Sequence, residues 1–499
     1  MSDLILAPLC IAVLVALYKI FLSKDDLDHI PTVGYSNPFL SFLTSIKYIY
    51  DAPDLLLEGY KLYPNGIFKF STFDGWSVVV NGTQLIDDIR RSTGEQLHSM
   101  SSVASYLGFR YTLGVRFLDN PFHIDVVRSA LTRNIAARFH EIHDEVQRAY
   151  AASIPLPTDE KGWSSVVAYK LQVEVITRVS CRYLFGKPLS DDPEFRSLCE
   201  SATKEIYKGR FIRLFPPLLR PLGARLVTGI HGLRRKMESY IRPVVEFRLE
   251  QQKLHGIDWP DKPNDLISWL IDAALASGEE VTVEDLSTRL LFISFGAIHT
   301  SSATFTAALF QLCQNPQDAG EIRREVQHVV KTEGWSKASI GKMYKMDSYL
   351  RESQRLHFMS LLNMGRAVVQ DFTFSDGTVM PRQVAGISVN VYARHRDESL
   401  YSDAHMFEGF RFVPKPGSGA TQPLVATPTL EYHGFGHGRS TCPGRFFAVT
   451  ELKTMLAHIV TNYDIKLEHD EYPRKMIVEA HCIPNMSAKI LLRKRNSHC

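Results

Sequence analysis

The 499-residue sequence lacks several features that mark common protein classes. Its seven cysteines are scattered and include no CxxC pair, so neither a disulfide framework nor a structural zinc site is predicted. No Gly-rich phosphate loop follows a strand, which argues against a nicotinamide or ATP site. Because there is also no Ser/Gly-rich linker and no internal repeat, we expect one large domain.

Charge excludes a further class. The formal net charge is only +3, and no block of Lys and Arg with interleaved aromatic residues stands out. The sequence therefore predicts no nucleic-acid partner. The scattered, odd-numbered cysteines favour a reducing compartment for the main body of the chain. A hydrophobic content of 45% is enough for a sizeable core.

One long apolar run is present near the N-terminus. LILAPLCIAVLVALYKIFL, residues 4–22, has Lys19 as its only charge. As a helix it would extend about 28 Å, close to the roughly 30 Å of a hydrocarbon core. A cleaved signal peptide is the alternative, but no Lys or Arg precedes the run and no A-x-A site follows it. Residues 1–28 are predicted to be a membrane anchor and residues 29–499 a single domain. This domain is predicted to be cytosolic, because Lys19 and Lys24 lie at the C-terminal end of the apolar run and positive charge favours the cytosolic side.

Helical patterns dominate the rest of the chain. Hairpins are predicted at 66–80 and 368–380, with Asp74-Gly75 and Asp376-Gly377 as their turns, and a last strand at 488–492. The predicted helices are 124–150, 166–183, 227–255, 283–313, 319–332 and 342–356. We therefore predict a mostly α protein with small β-sheets near both ends (α+β), without the strand–helix alternation of a parallel sheet.

A single cysteine stands in a stiff, basic, Gly-rich stretch, FGHGRSTCPGRFFA (residues 435–448). A thiolate is a strong ligand for iron, but it must be protected and oriented by backbone N–H groups. Gly436 and Gly444 allow the backbone to turn closely past a flat ligand, and Phe435 limits access of solvent. Pro443 is placed to start a helix over 444–461. The alternative is that Cys442 is an ordinary buried cysteine beside a turn.

The spacing F-x-x-G-x-x-x-C-x-G, formed by Phe435, Gly438, Cys442 and Gly444, resembles the haem-binding signature of the cytochrome P-450 family. The resemblance implies the cytochrome P-450 fold and haem b as cofactor. It also implies that Cys442 is the axial ligand of the haem iron, with Phe435, Gly436 and Gly444 beside the cofactor. The domain 29–499 would then be a haem-binding catalytic domain.

A second resemblance lies in YLRESQRLH, where Glu352 and Arg355 are three residues apart on a helix. Alone, such a pair is often a weak surface ion pair. The family has an E-x-x-R helix joined to an arginine in a following meander, and HMFEGFRF supplies that arginine as Arg411. The resemblance thus implies a buried, structural triad of Glu352, Arg355 and Arg411, in which loss of one partner is costly.

A third resemblance lies in LLFISFGAIHTSSATFTAALF (residues 290–310), which is apolar nearly all round like a buried core helix. It is similar to the family helix that receives oxygen and relays protons. Thr300 falls on the motif's alcohol position, His299 replaces the usual acid, and Ala297 replaces a glycine. Thr300 and His299 are therefore the predicted catalytic residues. Two structural alternatives exist. In one, the hydroxyls simply hydrogen-bond to carbonyls of their own helix, and in the other, His299 is a buried histidine whose hydrogen bonds are satisfied by a neighbouring backbone.

Haem carboxylates need cations. Arg128 matches the cationic half of the family's W-x-x-x-R, with Ile124 in place of the tryptophan, and Arg366 is the second candidate. Ser440 stands where the family usually has Arg or His, so one of the usual anchoring points lacks its charge.

The resemblance implies a haem-thiolate monooxygenase that inserts one oxygen atom from O2 into a lipophilic substrate. Electrons would come from NADPH through a membrane-bound cytochrome P-450 reductase, at the endoplasmic reticulum membrane with a single span. GAIHTSS, ARHRDESLY and FGHGRSTCPGRFFA are similar to membrane-bound fungal members that oxidise terpenoids and related secondary metabolites. Substrate contacts are expected from 101–114, 211–222, 291–300 and 356–364.

Two alternatives stay open at this point. One is a haem-thiolate rearrangement or peroxide-using enzyme that needs no external electrons, which the replacement at His299 leaves possible. The other is a non-catalytic haem-binding protein.

Overall fold

The computed structural model describes residues 27–157, 159, 162–382, 386–414 and 421–495. The apolar run at 4–22, and hence the predicted membrane anchor, lies outside the described residues. Among the described residues one helix, Val283–Gln314, is long and apolar enough to cross a membrane. Of its most apolar window 56% is buried inside the molecule, which is the behaviour of a core helix.

Helices form most of the molecule, as predicted. In chain order α1–α6 are Pro38–Leu62, Thr83–Arg91, Ser99–Leu107, Phe109–Thr112, Val115–Asp119 and Phe122–Val126. Helices α7–α12 are Phe139–Ser153, Ala168–Phe185, Pro193–Lys208, Arg220–Val227, Ile230–His255 and Leu266–Ala276. Helices α13–α18 are Val283–Gln314, Pro316–Glu333, Lys337–Gly341, Tyr344–Leu356, Val391–Arg394 and Arg445–Asn462. The predicted α+β class is confirmed.

The strands of the described part of the chain form four small sheets. Strands β1–β6 are Ile67–Thr72, Gly75–Val80, Leu97–His98, Trp163–Val167, Leu362–Val368 and Phe372–Thr373. Strands β7–β12 are Val379–Met380, Ile387–Asn390, Tyr463–Leu467, Met476–Val478, His481–Ile483 and Lys489–Lys494. The largest sheet has the order β1-β2-β8-β5-β3, and the others are β4-β12-β9, β10-β11 and β6-β7.

Helix α13 lies at the centre of the helical core. Thr282 caps its first turn by accepting a hydrogen bond from the Asp285 amide, and Glu284 and Asp285 place negative charge at the positive end of the helix. Most of its side chains are buried, because α8, α9 and α11 pack against it. A helix surrounded in this way must be apolar on most of its faces, which is what its sequence contains.

The predicted helix over 124–150 is wrong as one element. The chain forms α6, a π-helical turn at Val127–Leu131, and then α7 from Phe139. Residues 134–138 form turns, in which the Ile135 amide donates to the Thr132 carbonyl at 3.4 Å, so the helical pattern of hydrogen bonds four residues apart is broken at Ile135. The predicted helix over 166–183 begins two residues later, because Val166 and Val167 belong to β4.

The hairpins differ from prediction in detail. In the first, Thr72 pairs with Gly75, so the two turn residues are Phe73 and Asp74, one position before the predicted Asp74-Gly75. The second reduces to the short pair β6–β7, and Val368 instead ends β5. The final strand begins at Lys489, close to its predicted start.

Candidate active site

A cavity of about 450 Å³ lies between α13 and the cysteine loop. We call it the inner cavity. Its walls are mainly apolar side chains from α3, α6, α13 and the segment that follows α16. Cys442, Pro443 and Gly444 form part of its boundary. Cys442 is thus placed at the edge of an apolar chamber that could hold a lipophilic molecule.

The cysteine loop is held in shape by its own backbone. The Cys442 amide donates to the Phe435 carbonyl at 2.9 Å, and the Gly436 amide donates to the His433 carbonyl at 2.9 Å. Gly438 has φ of +74°, and a Cβ there would lie 2.5 Å from the Arg90 carbonyl oxygen. A side chain at 438 would therefore push the loop away from α2. Phe435, Gly436 and Gly444 all line the inner cavity, beside Cys442.

The surroundings of the Cys442 thiol act in two directions. Burial raises the pKa of Cys442, while the backbone amides of Gly444 and Arg445 and the Arg445 guanidinium act to lower it. The amides and the guanidinium favour negative charge on sulfur, as a thiolate ligand requires. The Arg445 guanidinium also donates to the Cys442 carbonyl at 3.0 Å, which fixes it beside the loop.

Glu352, Arg355 and Arg411 lie together beneath this loop. Glu352 accepts from Arg355 Nε at 2.7 Å and from Arg411 Nε at 3.0 Å, and the Glu352 and Arg355 side chains are completely buried. Arg355 also donates to the carbonyls of His395 and Ala404. The carboxylate is thus paired on both oxygens, which is the condition under which buried charge is tolerated.

Two amide side chains connect this ion network to the cysteine loop. Gln354, on α16 between Glu352 and Arg355, donates to the Gly434 carbonyl at 3.2 Å. Asn363, on β5, donates to the His433 carbonyl at 2.6 Å. The loop therefore rests on α16 and β5, and the position of α16 depends on the buried ion triad.

Thr300 and His299 are placed differently. Thr300 lines the inner cavity, and its hydroxyl donates to the Gly296 carbonyl at 2.6 Å. His299 does not line this cavity. Its Nε2 lies 3.2 Å from the Glu200 carbonyl and its Nδ1 lies 2.9 Å from the Tyr169 hydroxyl. Because a carbonyl only accepts, Nε2 carries the proton and Nδ1 accepts from Tyr169.

This placement favours the second alternative for His299, a histidine satisfied by its neighbours. Burial lowers its pKa, and both ring nitrogens are engaged away from the inner cavity. His299 occupies the motif position of an acidic residue, but its imidazole is longer and differently shaped, so it does not have to point where a carboxylate would.

The two predicted anchoring cations also differ. Arg366 is buried and lines the inner cavity, and its guanidinium donates to the Gly365 carbonyl at 2.9 Å. Burial lowers its pKa to about 10. Among the described residues no carboxylate lies within ion-pair distance of Arg366. A buried cation without an anion is costly, so this position suits a ligand that brings its own carboxylate.

Arg128 lies outside the cavity wall. It forms an exposed ion pair with Asp125 at 2.8 Å and donates to the Arg439 carbonyl at 3.4 Å. Its visible role is to join the π-helical turn to the cysteine loop. Ser440, where the family usually has a cation, does line the inner cavity.

The structure adds His123, which our sequence reasoning missed. It is buried on the first turn of α6 and lines the inner cavity. Arg289 donates to its Nδ1 at 2.8 Å, so the proton resides on Nε2, which has no hydrogen-bond partner among the described residues. The signal available in the sequence was the imidazole directly before Ile124, the position matched to the family's tryptophan.

Arg366 and His123 together show that a haem fits this site. An unpaired buried guanidinium and an unpaired buried N–H both border the cavity that Cys442 borders. They are suitable donors for the two carboxylates of a haem, whose iron the thiolate would bind.

The expected substrate-contact segments contribute unequally. Val103 from 101–114 lines the inner cavity, as do Phe292 and Ile293 from 291–300 and Phe358 and Met359 from 356–364. No residue of 211–222 does so, although this whole segment is described. It lies further out, where Ile212 and Arg213 line a separate cavity of about 300 Å³.

A cysteine loop at the edge of an apolar chamber, with a buried arginine and a buried histidine that have no anionic partner in the described part of the chain, is the arrangement expected of a haem-thiolate protein. The family model for cytochrome P450 matches residues 48–491. The chain therefore belongs to the cytochrome P450 family, and it is an enzyme of the monooxygenase type found there.

Several of its relatives are fungal. It is 37% identical to cytochrome P450 monooxygenase 151 of Postia placenta over 95% of both chains. It is 28% identical to the ent-kaurene oxidase of Gibberella intermedia, over 95% of this chain and 90% of that one. Its fold is similar to that of the retinoic-acid-bound cyanobacterial CYP120A1, with a TM-score of 0.70 and 18% sequence identity. The match covers 93% of this chain and 99% of that one.

Proposed function

We propose that this protein inserts one oxygen atom from O2 into an unactivated C–H bond of a lipophilic secondary metabolite, of which a terpenoid is the leading candidate. The observation that carries the proposal is the inner cavity, which is bordered by Cys442 at one side and by Thr300 and apolar side chains elsewhere. An apolar chamber holds such a substrate by burying its surface, and orients it by shape. The ent-kaurene oxidase relative supports a terpenoid substrate.

In this proposal each residue has a defined role toward the bound haem, which supplies the oxygen chemistry. Cys442 would bind the iron, and Arg366 and His123 would bind the haem carboxylates. Phe435 and the glycines of the loop keep water from the sulfur. Thr300 presents a hydroxyl that hydrogen-bonds and orders water on the substrate side, where protons are consumed.

Electrons would come from a membrane-bound, NADPH-dependent reductase. Arg128, Arg439 and Arg445 lie on or beside the cysteine loop and form a cationic face for an acidic electron donor. The apolar run at 4–22 would hold the chain in the endoplasmic reticulum membrane with the catalytic domain in the cytosol. Exposed Leu214, Leu218 and Leu222 provide a second membrane contact.

The experiment is to express the full chain with a fungal reductase and NADPH, and to supply a panel of terpenoids. We expect a product heavier by one oxygen atom, with the label of ¹⁸O2 in it. Cys442→Ser is the control, and it should lose both the haem-thiolate absorbance and the product.

Product formed by Cys442→Ser would contradict the assignment. Turnover that needs peroxide but neither reductase nor NADPH would replace the proposal by the peroxide-using alternative. Haem binding without oxidation of any compound would favour the non-catalytic alternative.

A further inference from the structure

Two more cavities follow the inner cavity along α13, toward the carboxyl end of this helix. The first is small, about 20 Å³, and Ala303, Ala307 and Phe310 line it. The second is about 730 Å³, opens at the surface, and has Gln311 and Gln314 in its wall. We call them the narrow and the outer cavity. From Thr304 in the wall of the inner cavity to Gln314 in the wall of the outer cavity, the three cavities succeed one another over about 15 Å of a single helix.

The same succession occurs in the segment after α16. Met359 lines both the inner and the narrow cavity. His357, two residues earlier, lines both the narrow and the outer cavity. Each boundary between neighbouring cavities is therefore formed by one side chain on this segment and by α13 on the opposite side.

His357 has a defined orientation at its boundary. The Gln311 amide donates to His357 Nε2 at 2.6 Å, and the Gln311 carbonyl oxygen accepts from Asn315 at 3.3 Å. Nδ1 therefore carries the proton, and it lies 3.3 Å from the Tyr472 hydroxyl. The two rings stack with centroids 5.0 Å apart. Burial lowers the pKa of His357 to about 3, so the ring is neutral.

The narrow cavity has the size and the polarity to hold water. About one water molecule fits a volume of this order, provided that two to four polar groups bind it. Tyr472, Lys475 and Asn485 line the narrow cavity and supply such groups, whereas both ring nitrogens of His357 already have partners. Ala307 leaves the space free, because its side chain is a single methyl group.

The inner cavity, at one end of the three, has hydroxyl groups in its wall. Thr300 and Thr304 line the inner cavity, and each donates its hydroxyl proton to the carbonyl one helical turn earlier, at 2.6 and 2.9 Å. Their oxygens are left to accept hydrogen bonds from water. His299 cannot supply this end, since both of its nitrogens are bound to Glu200 and Tyr169 outside the cavity.

We propose that the three cavities form a water path from the surface to Thr304 and Thr300, with Ala307 leaving its narrowest point open and His357 holding in place the Tyr472 hydroxyl that binds the water there. The path is a property of the fold. Only its use rests on the proposed function: each turnover combines O2, two electrons from NADPH and two protons, and releases one oxygen atom as water. The path would deliver the protons and remove the water.

The test measures water exchange and not product. In the ferric, haem-loaded full chain, unpaired electrons shorten the relaxation time of bulk-water protons, provided that water near the iron exchanges with bulk. Ala307→Leu fills the narrow cavity, and His357→Phe keeps the stacked ring but removes its hydrogen bonds. We expect Ala307→Leu to lose most of the relaxation enhancement and His357→Phe to lose part of it. His405→Phe is the matched control, since His405 is exposed at the wide outer cavity.

Unchanged relaxation in both Ala307→Leu and His357→Phe, with the haem-thiolate absorbance retained, would overturn the proposal. An equal loss in His405→Phe would overturn it as well. If Ala307→Leu fails to retain haem, His357→Phe and the milder Ala307→Val decide the matter by the same measurement. If no compound is ever oxidised but the variants behave as expected, the water path stands and the proposed function fails.

Discussion

The side chains of the site differ in how far their position follows from their place in a motif. Cys442 and Thr300 border one cavity, whereas His299, adjacent to Thr300, is turned toward Tyr169 and Glu200. Neighbouring residues on a helix point about 100° apart, so adjacency in a motif does not mean adjacency in a cavity. Their substitutions should therefore have different effects.

We expect Thr300→Ala to lower the product formed per NADPH consumed several-fold and to raise hydrogen peroxide release, because ordered water is lost on the substrate side. His299→Gln should leave both quantities close to wild type. The measurement is product, NADPH and peroxide in one reaction. An equal loss of coupling in the two variants would place His299 in the proton supply after all.

Glu451 gives a prediction about pH. It is buried on α18, accepts from Ser180 at 3.0 Å, and burial raises its pKa from 4.5 to about 8. A carboxyl whose folded pKa is raised binds more protons in the folded state, so its contribution to stability is full below pH 4.5 and is lost as the pH rises through about 8. In Glu451→Gln, which resembles the protonated form, the free energy of unfolding should depend less on pH over this interval. Urea unfolding at several pH values checks this, and equal slopes in the two proteins would refute it.

At the scale of elements, the molecule is held by a few ionic connections between segments that are distant in sequence. The best defined is the buried triad that joins α16 to the meander containing Arg411. A second set holds the segment Gly209–Leu214, whose two arginines reach the tips of two hairpins.

Glu352→Gln should lower the free energy of unfolding by about 3–5 kcal/mol, because Arg355 and Arg411 would be left without their buried anion. Glu408→Gln is the matched control: Glu408 also pairs with Arg411, at 3.5 Å, but its side chain is 64% exposed. For it we expect less than about 1 kcal/mol. Urea unfolding of both variants is the measurement, and comparable losses would show that burial does not set the difference.

Arg210 pairs with Glu479 at 2.6 Å, and Arg213 pairs with Asp74 at 2.7 Å. Glu479→Gln should make the amides of the segment Gly209–Leu214 exchange with deuterium faster, since one of the two ionic connections is lost. Glu200→Gln on α9 is the control, because its pair with Lys204 is exposed and 3.9 Å long. Faster exchange in the control alone, or in neither variant, would contradict this role.

At the scale of the whole molecule, burial keeps histidines uncharged. His357 and His433 have pKa values lowered to about 3, and His458 and His481 to about 4, in each case chiefly by burial. A base whose folded pKa is depressed contributes stability above its unfolded pKa, near 6.5, and this contribution is lost as the pH falls.

The melting temperature of the haem-loaded protein should therefore fall steadily from pH 7 to pH 5, and unfolding at pH 5 should take up protons. Calorimetry in two buffers with different ionisation enthalpies measures this uptake. His458→Gln should reduce it by about one proton, because one depressed imidazole is removed. No uptake at pH 5 would mean that these rings are already charged in the folded protein.

Several features of this protein follow from the sequence by itself. The α+β class depends on local periodicity, because a helix repeats every 3.6 residues, and the cysteine loop and the E-x-x-R helix are identified by their resemblance to the residue spacings of a family. The helix predicted over 124–150 is divided by a π-helical turn at Val127–Leu131 and by turns at 134–138, which the hydrophobic periodicity does not record.

Only the tertiary structure decided which residues meet. It brought His123 and Arg366 to the cavity of Cys442, placed Arg128 and His299 away from it, and left room beside Ala307. The physical reason is that cavities and hydrogen-bond partners arise between segments hundreds of residues apart, where packing and burial determine the result. Local residue patterns predict which chemical groups a chain carries, and the packed fold determines which of those groups lie together at one site.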